Sequence, residues 1–185
     1  MRLPHRLLTT LLLLVLAPAV AAPVRASAVP RAVPQDELQD EARMVEALFS
    51  LIQFTSWRGP LSLTDRVTVC TVGEDPLGRV LDNIAGRSTR GRPIAVRRFS
   101  DPASARGCHV VFVGPTMRRS MGSVLRRLRG SGALTVGAFP DFARRGGMVR
   151  LTEGADRVGL EVNRDALARE GVRLSSRVLQ IAHLI

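Results

Sequence analysis

The chain has 185 residues, of which 45% are apolar, 23% charged and only 4% aromatic. That is enough for one domain with a real core, thin for two, and unlike the composition of a disordered chain. The formal net charge is +11, yet all 27 basic residues are Arg. A chain without Lys reflects a codon bias that turns solvated Lys positions into Arg. The excess therefore favours acidic partners or an anionic membrane surface through long-range steering, not through a specific site.

Arg2, His5 and Arg6 open the chain, a Leu-rich run follows from Leu7, and Ala17-Pro18-Ala19-Val20-Ala21 closes it. This is the pattern of a secretory signal. The apolar run ends at Val20 and falls short of the ~20 residues that a membrane span requires. Residues 1–21 are thus expected to be a cleaved signal peptide, with Ala26-x-Ala28 as a second cleavage site. Loss of Arg2 and Arg6 takes the charge from +11 to +9. Residues 22–35, with three Pro and no apolar period, read as a flexible lead-in, and 36–185 as one domain. Export would place the protein in the periplasm, an oxidising space. Cys70 and Cys108 are then a candidate disulfide rather than a cytosolic redox or metal pair.

Asp36, Glu37, Asp40 and Glu41 put acids on the positive end of a helix. Leu38, Ala42, Val45, Phe49 and Ile52 give it one apolar stripe, and it should end near Phe54 to Trp57. Val67–Val72 predicts a strand, Leu77–Ile84 a short helix stopped by Gly86, and Pro93–Phe99 a second strand. Asp101-Pro102 starts a loop or single turn. Val110–Val113, wholly apolar, predicts a central strand. Thr116 is placed to cap a helix over Met117–Arg129, with Met117, Met121, Val124, Leu125 and Leu128 inward. Ala133–Val136 predicts a fourth strand, and Phe139–Arg145 one helical turn. Met148–Thr152 and Arg157–Val162 predict a hairpin. Asp165–Glu170 reads as a helix closed by Gly171, and Ser175 or Ser176 as the cap of a last, docked helix running to Ile185. The order predicts an α/β fold, a single-domain three-layer sandwich whose mostly parallel sheet ends in an antiparallel hairpin near the C-terminus.

Few residues point to chemistry. Gly73-x-x-x-x-Gly78 sits between a strand and a helix, where α/β folds hold phosphates. The Walker Lys is missing and Glu74 and Asp75 carry the wrong charge, so a structural turn with Asp75 as cap is the reading. Ser88, Ser100 and Ser120 have no nucleophile elbow. Cys108–His109 could form a Cys–His centre, although a disulfide would silence that thiol. No catalytic residue, cofactor or metal is expected, since His109 and His183 are the only histidines of the mature chain and lack ligand spacing. Five arginines from Arg118 to Arg129 lack the aromatics that a nucleic-acid surface would use. Nucleic acid is therefore not an expected partner. Trp57 is either a plug at the core's edge or an exposed anchor for a partner. Glu161 and Asn163 are expected to alternate outward from the last strand and are the other candidate partner-binding residues, with helix capping as the plainer role for Asn163. A small-ligand receptor would use the crevice beyond the strand ends near Gly73 and Gly114.

Six segments, taken in order, carry a resemblance. They are Ala47-Leu48-Phe49-x-x-Ile52-x-Phe54-x-x-Trp57, Val69-Cys70-x-Val72-Gly73-Glu74-Asp75-Pro76-Leu77-Gly78, and Ala105-Arg106-Gly107-Cys108-His109-Val110-Val111-Phe112-Val113-Gly114. Phe142-Ala143-x-x-Gly146-Gly147-Met148-Val149 follows, and Leu160-Glu161-Val162-Asn163 with Leu174-Ser175-Ser176-Arg177-Val178-Leu179 comes last. Over residues 37–185 the chain resembles the YfiR-like family of periplasmic proteins. The resemblance implies a non-enzymatic regulator, often a homodimer, that binds the periplasmic part of a membrane-bound YfiN-type diguanylate cyclase and restrains it. Cyclic-di-GMP signalling and biofilm formation would then fall. Cys70 and Cys108 match the family's cysteine positions, whereas the second pair that some relatives carry near Gly146-Gly147 is absent.

One calculation opposes the disulfide. If strands 67–72 and 110–113 are parallel and end level at Gly73 and Gly114, Cys70 and Cys108 are offset by roughly 10 Å. Bridging needs Cα atoms within about 7 Å. Either the register differs or Cys108 lies in a loop that folds back.

Overall fold

Alternation along the strands divides the core. The computed structural model describes residues 35–75, 77–154 and 157–185. The leader, its cleavage sites and residues 22–34 of the lead-in lie outside them. In chain order, α1 (Gln35–Gln53) leads to β1 (Thr55–Ser56), a 3-10 turn (Gly59–Leu63), β2 (Val67–Val72) and a 3-10 helix (Gly78–Ile84). Then come β3 (Ser88–Thr89), β4 (Arg92–Phe99), a 3-10 turn (Pro102–Ala105), β5 (Val110–Val113), another 3-10 turn (Pro115–Arg118) and α2 (Met121–Leu128). The remainder is β6 (Leu134–Gly137), β7 (Val149–Thr152), β8 (Gly159–Val162), α3 (Arg164–Glu170), β9 (Arg173–Leu174), α4 (Ser176–Ile181) and β10 (His183–Leu184).

Eight strands form one sheet in the order β10-β8-β7-β6-β5-β2-β4-β3, and β1 pairs with β9 in a small separate ribbon. The run from β4 through β2, β5 and β6 to β7 is parallel. β7 and β8 form the expected antiparallel hairpin. The fold class read from the sequence is the one observed.

The two faces of the sheet carry separate apolar clusters. Val67 and Val69, Val110 and Phe112, and Leu134 and Val136 point to one face, beneath α1, the 78–84 helix, α3 and α4. Cys70 and Val72, with Val111 and Val113, point to the other, beneath α2 and residues 139–142. β5 has every residue buried, as its unbroken apolar run predicts. This alternation makes the three layers.

Three local expectations are corrected. Leu38 is not part of the stripe but 44% exposed, while Met44, Leu48 and Leu51 widen it. Thr116 does not cap α2. Its hydroxyl accepts the Glu74 amide at 3.1 Å, Pro115 opens a 3-10 turn, and α2 begins only after Ser120. The last helix stops at Ile181, Ala182 turns extended, and His183–Leu184 joins the sheet in parallel to β8.

The Gly146-Gly147 motif has a packing reason. The ring of Phe142, fully buried, packs between two glycines. A Cβ at Gly147 would stand 2.2 Å from the ring, and one at Gly137 would stand 2.5 Å away. Only glycine lets the 139–148 loop close over the end of β6.

Candidate functional site

Cys70 and Cys108 are joined in a disulfide with Cα atoms 6.1 Å apart. The register expected between β2 and β5 is correct, since Val72 pairs with Val113 and Cys70 with Val111. The offset vanishes because β5 begins at Val110 and Cys108 lies before it in a turn. The Cys108 amide donates to the Ala105 carbonyl at 3.1 Å, which folds the chain back toward β2. The loop alternative resolves the conflict.

His109, next in the chain, has both ring nitrogens committed. Nδ1 accepts the Thr68 amide at 3.1 Å, so the proton sits on Nε2, which donates to the Leu61 carbonyl at 2.9 Å. The ring is buried. Burial pushes its pKa below the ordinary value; the Leu61 carbonyl opposes that shift and the Arg92 charge adds to it. Trp57 closes the cluster. Its indole stands edge-on to the imidazole at 5.3 Å between centroids, and its N–H donates to the His109 carbonyl at 2.8 Å. With Cys108 oxidised and His109 saturated, no Cys–His centre forms. Trp57, 7% exposed, is the core plug and not an exposed anchor.

Glu161 and Asn163 do not project freely outward. Glu161 is 8% exposed. It faces Arg150 across the hairpin, accepting from it at 3.3 Å, and pairs with Arg144 at 3.8 Å. The Asn163 side chain accepts the Ala166 amide at 2.9 Å, which caps α3, and donates to the Ala143 carbonyl at 2.8 Å. Both residues therefore fasten the 139–148 loop to the end of β8. Capping, the plainer role for Asn163, is the one observed.

At the strand ends, where a crevice was expected, the backbone of Gly73 and Gly114 is closely packed. A Cβ on Gly114 would meet the Glu74 carbonyl oxygen at 1.8 Å, and one on Gly73 would meet Met117 and Thr116 at 2.8 and 2.9 Å. Asp75 accepts the Leu77 amide at 3.1 Å as it leads into the 78–84 helix. Its other oxygen takes Arg98, which also reaches Asp82. The turn is structural.

The surface feature that the sequence did not indicate lies at the β10 edge. Ile181 is 67% exposed, Leu184 40% and Ile185 38%. Beside Ile181 an apolar groove of about 200 Å³ runs between α1 and α4, lined by Leu51, Phe54, Leu160 and Val178. Helical periodicity had assigned these aliphatics to a buried face. Among the described residues no group of His, Cys, Asp and Glu is arranged to hold a metal, and no helix is long and apolar enough to cross a membrane.

A family model described as YfiR/HmsC-like matches residues 43–183. The chain belongs to the YfiR/HmsC-like family. Every segment that carried the resemblance falls inside the match. The family consists of regulatory, non-catalytic proteins of periplasmic diguanylate cyclase signalling. Within the match, Cys70 and Cys108 form the bond described above, and Phe142 with Gly147 forms the loop closure. Among solved structures, the chain is similar to a conserved domain protein from Vibrio cholerae O1 biovar El Tor strain N16961. The TM-score is 0.57 at 15% identity, over 76% of this chain and 59% of that one. It is also similar to an ABC domain in complex with L-Trp from Streptococcus pneumonia. There the TM-score is 0.52 at 10% identity, over 78% of this chain and 60% of that one. The chain thus spans about 60% of the length of either protein. At these identities the likeness is one of fold alone.

Proposed function

We propose that the protein is exported through a cleaved signal peptide and binds the periplasmic sensor part of a YfiN-type inner-membrane diguanylate cyclase. Bound, it holds the cyclase inactive and lowers cyclic-di-GMP signalling and biofilm formation. The observation that carries this reading is the family match over residues 43–183, joined to the basic, apolar and small-residue order of the first 21 residues. Disulfide formation between Cys70 and Cys108 fits an oxidising compartment. A regulator acts by contact.

We assign the contact to the β8–β10 end of the sheet. An edge strand offers unpaired backbone groups, and exposed aliphatics beside it supply the apolar anchor of an interface. Ile181 and Leu184 are that anchor, and Glu161 and Asn163 hold the adjoining loop in place from beneath. We further propose that the protein self-associates as a homodimer, as its family membership implies.

Affinity capture at native expression from solubilised membranes tests the reading. Recovery of a membrane protein with a periplasmic sensor and a cyclase domain is expected. Ile181→Asp with Leu184→Asp should reduce that recovery while leaving the melting temperature unchanged. Capture that recovers no sensor or cyclase overturns the reading. Recovery unaffected by the two substitutions overturns the assigned surface only.

A further inference from the structure

The bare charge of +11 conceals a place where four arginines gather around a cavity. Between α2, α3 and the 139–148 loop lies a pocket of about 380 Å³, within the roughly 300–1,000 Å³ typical of small-molecule sites. Its floor is apolar, made by Leu125, Leu128, Ala133, Met148 and Ala166. Its rim carries Arg126, Arg129, Arg145 and Arg169. None of these four side chains is ion-paired or hydrogen-bonded among the described residues. By contrast, nearby Arg118, Arg127 and Arg144 each meet a carboxylate.

The opposing charge is small. Glu170 is the one carboxylate in the lining. Its oxygens accept the amides of Gly130 and Gly132 at 2.9 to 3.3 Å, which binds it to the turn after α2. The carboxyl ends of α2 and α3 also face this region, and each carries at most about half a negative charge. Arg106 already meets the α2 end, donating to the Arg127 and Arg129 carbonyls at 2.8 and 3.2 Å. Four guanidinium groups against one carboxylate and two partial helix charges leave an excess of about two positive charges. Complementing the helix ends therefore accounts for part of the cluster and not for all of it.

At the back of the pocket, β6 has no strand partner on its β7 side until Val136 meets Val149. The Thr135 hydroxyl stands in that gap, accepting the Met148 amide at 3.1 Å. Its own hydrogen has no acceptor among the described residues and is available to a ligand.

We propose that this pocket binds a small amphiphilic anion, a carboxylate with a short apolar body, whose head meets the arginines and whose body lies on the Leu128–Met148 floor. Guanidinium groups take carboxylates in paired, charge-assisted hydrogen bonds, and the floor supplies apolar burial that inorganic anions cannot use. The site is built from α2, α3 and the 139–148 loop, and none of its lining residues belongs to α4 or β10. It goes beyond the regulatory reading and does not depend on it.

Titration calorimetry of the whole mature protein with octanoate at low salt tests the proposal. Saturable one-to-one binding is expected. It should weaken roughly tenfold or more in Arg145→Gln/Arg169→Gln, whose two exposed positions leave the fold intact, and it should weaken as salt is raised. Inorganic phosphate and octan-1-ol should each bind far more weakly. Amide NMR with octanoate should move Gly130, Gly132 and Gly146–Met148. Absence of saturable octanoate binding, equal binding by the variant, equal binding of phosphate, or shifts confined to other regions would each overturn it.

Discussion

Removing the disulfide is the perturbation whose magnitude follows most directly from the fold. Cys70 and Cys108 are 38 residues apart in the chain. In the chain-entropy model, closing a loop of that length removes about 13 cal/mol/K from the unfolded ensemble, or about 4 kcal/mol at 25 °C. The native state has little to lose in exchange, because both cysteines are buried on the α2 face and alanine fits each site. For a domain of this size, 1 kcal/mol corresponds to about 2–4 °C in Tm. Cys70→Ala/Cys108→Ala is therefore expected to melt roughly 8–16 °C below the oxidised wild type. Reduced wild type should match the variant and not the oxidised protein. Thermal unfolding followed by far-UV circular dichroism, with and without reductant, makes the comparison. A variant melting within about 3 °C of oxidised wild type would refute the reasoning, because the loop would then be ordered in the unfolded state or the bond strained in the native one.

Other perturbations test separate parts of the structure. Gly114→Ala should cost about 1–3 kcal/mol by forcing a methyl into the Glu74 backbone, whereas Gly107→Ala, with open space around it, should be close to neutral; urea unfolding compares the two. Phe142→Ala should lose about 3–5 kcal/mol and increase exchange of the Gly146–Met148 amides, as the ring between Gly137 and Gly147 is removed. Glu161→Gln, which leaves Arg150 facing a neutral partner in a largely buried site, should destabilise by about 1–3 kcal/mol and release the Arg144 side of the same loop. His109 has a folded pKa below its unfolded value near 6.5, so the unfolded state binds more protons. Its contribution to stability is full above about pH 6.5 and is lost as pH falls from there through the lowered folded pKa. Acid titration of Tm should be steeper for wild type than for His109→Gln, and identical slopes would remove His109 from the account.

How far the sequence could be read depended on whether the deciding contact was local. Strands β2 and β5 were legible because a strand buried on both faces reads as a nearly continuous β-rich run, and the β7–β8 hairpin was legible because its segments alternate. The cap of α3 was legible for a similar reason, since Asn163 bonds an amide only three residues away. The failures are contacts across the fold. Thr116 has the right type and place to cap a helix, but the Glu74 amide, 42 residues earlier, claims its hydroxyl. Ile181, Leu184 and Ile185 match a helical stripe, yet β8 offers an open edge, and sheet pairing at His183 and Leu184 overrides the helical period. The arginine pocket had no sequence signal at all, because its four rim residues come from three segments and arginine is the only Lys/Arg-type base in this protein, spread over its whole surface.

That uniformity sharpens what can be inferred from charge. Where every base is Arg, residue type carries no information, and only placement and pairing do. An arginine with a carboxylate partner, such as Arg98 between Asp75 and Asp82, reads as structure. The four around the α2–α3 pocket lack such partners and face an apolar floor, so they mark a place where the fold leaves positive charge unspent. The β10 edge shows the converse, with exposed aliphatics next to unpaired backbone and a buried Glu161 held beneath. A contact made there is governed by apolar burial and strand pairing and should persist in high salt, whereas binding in the pocket should fall steeply with it. Measuring both against ionic strength separates the two surfaces in one experiment, and a cyclase contact abolished by moderate salt would move the partner surface from the β10 edge to the arginine face.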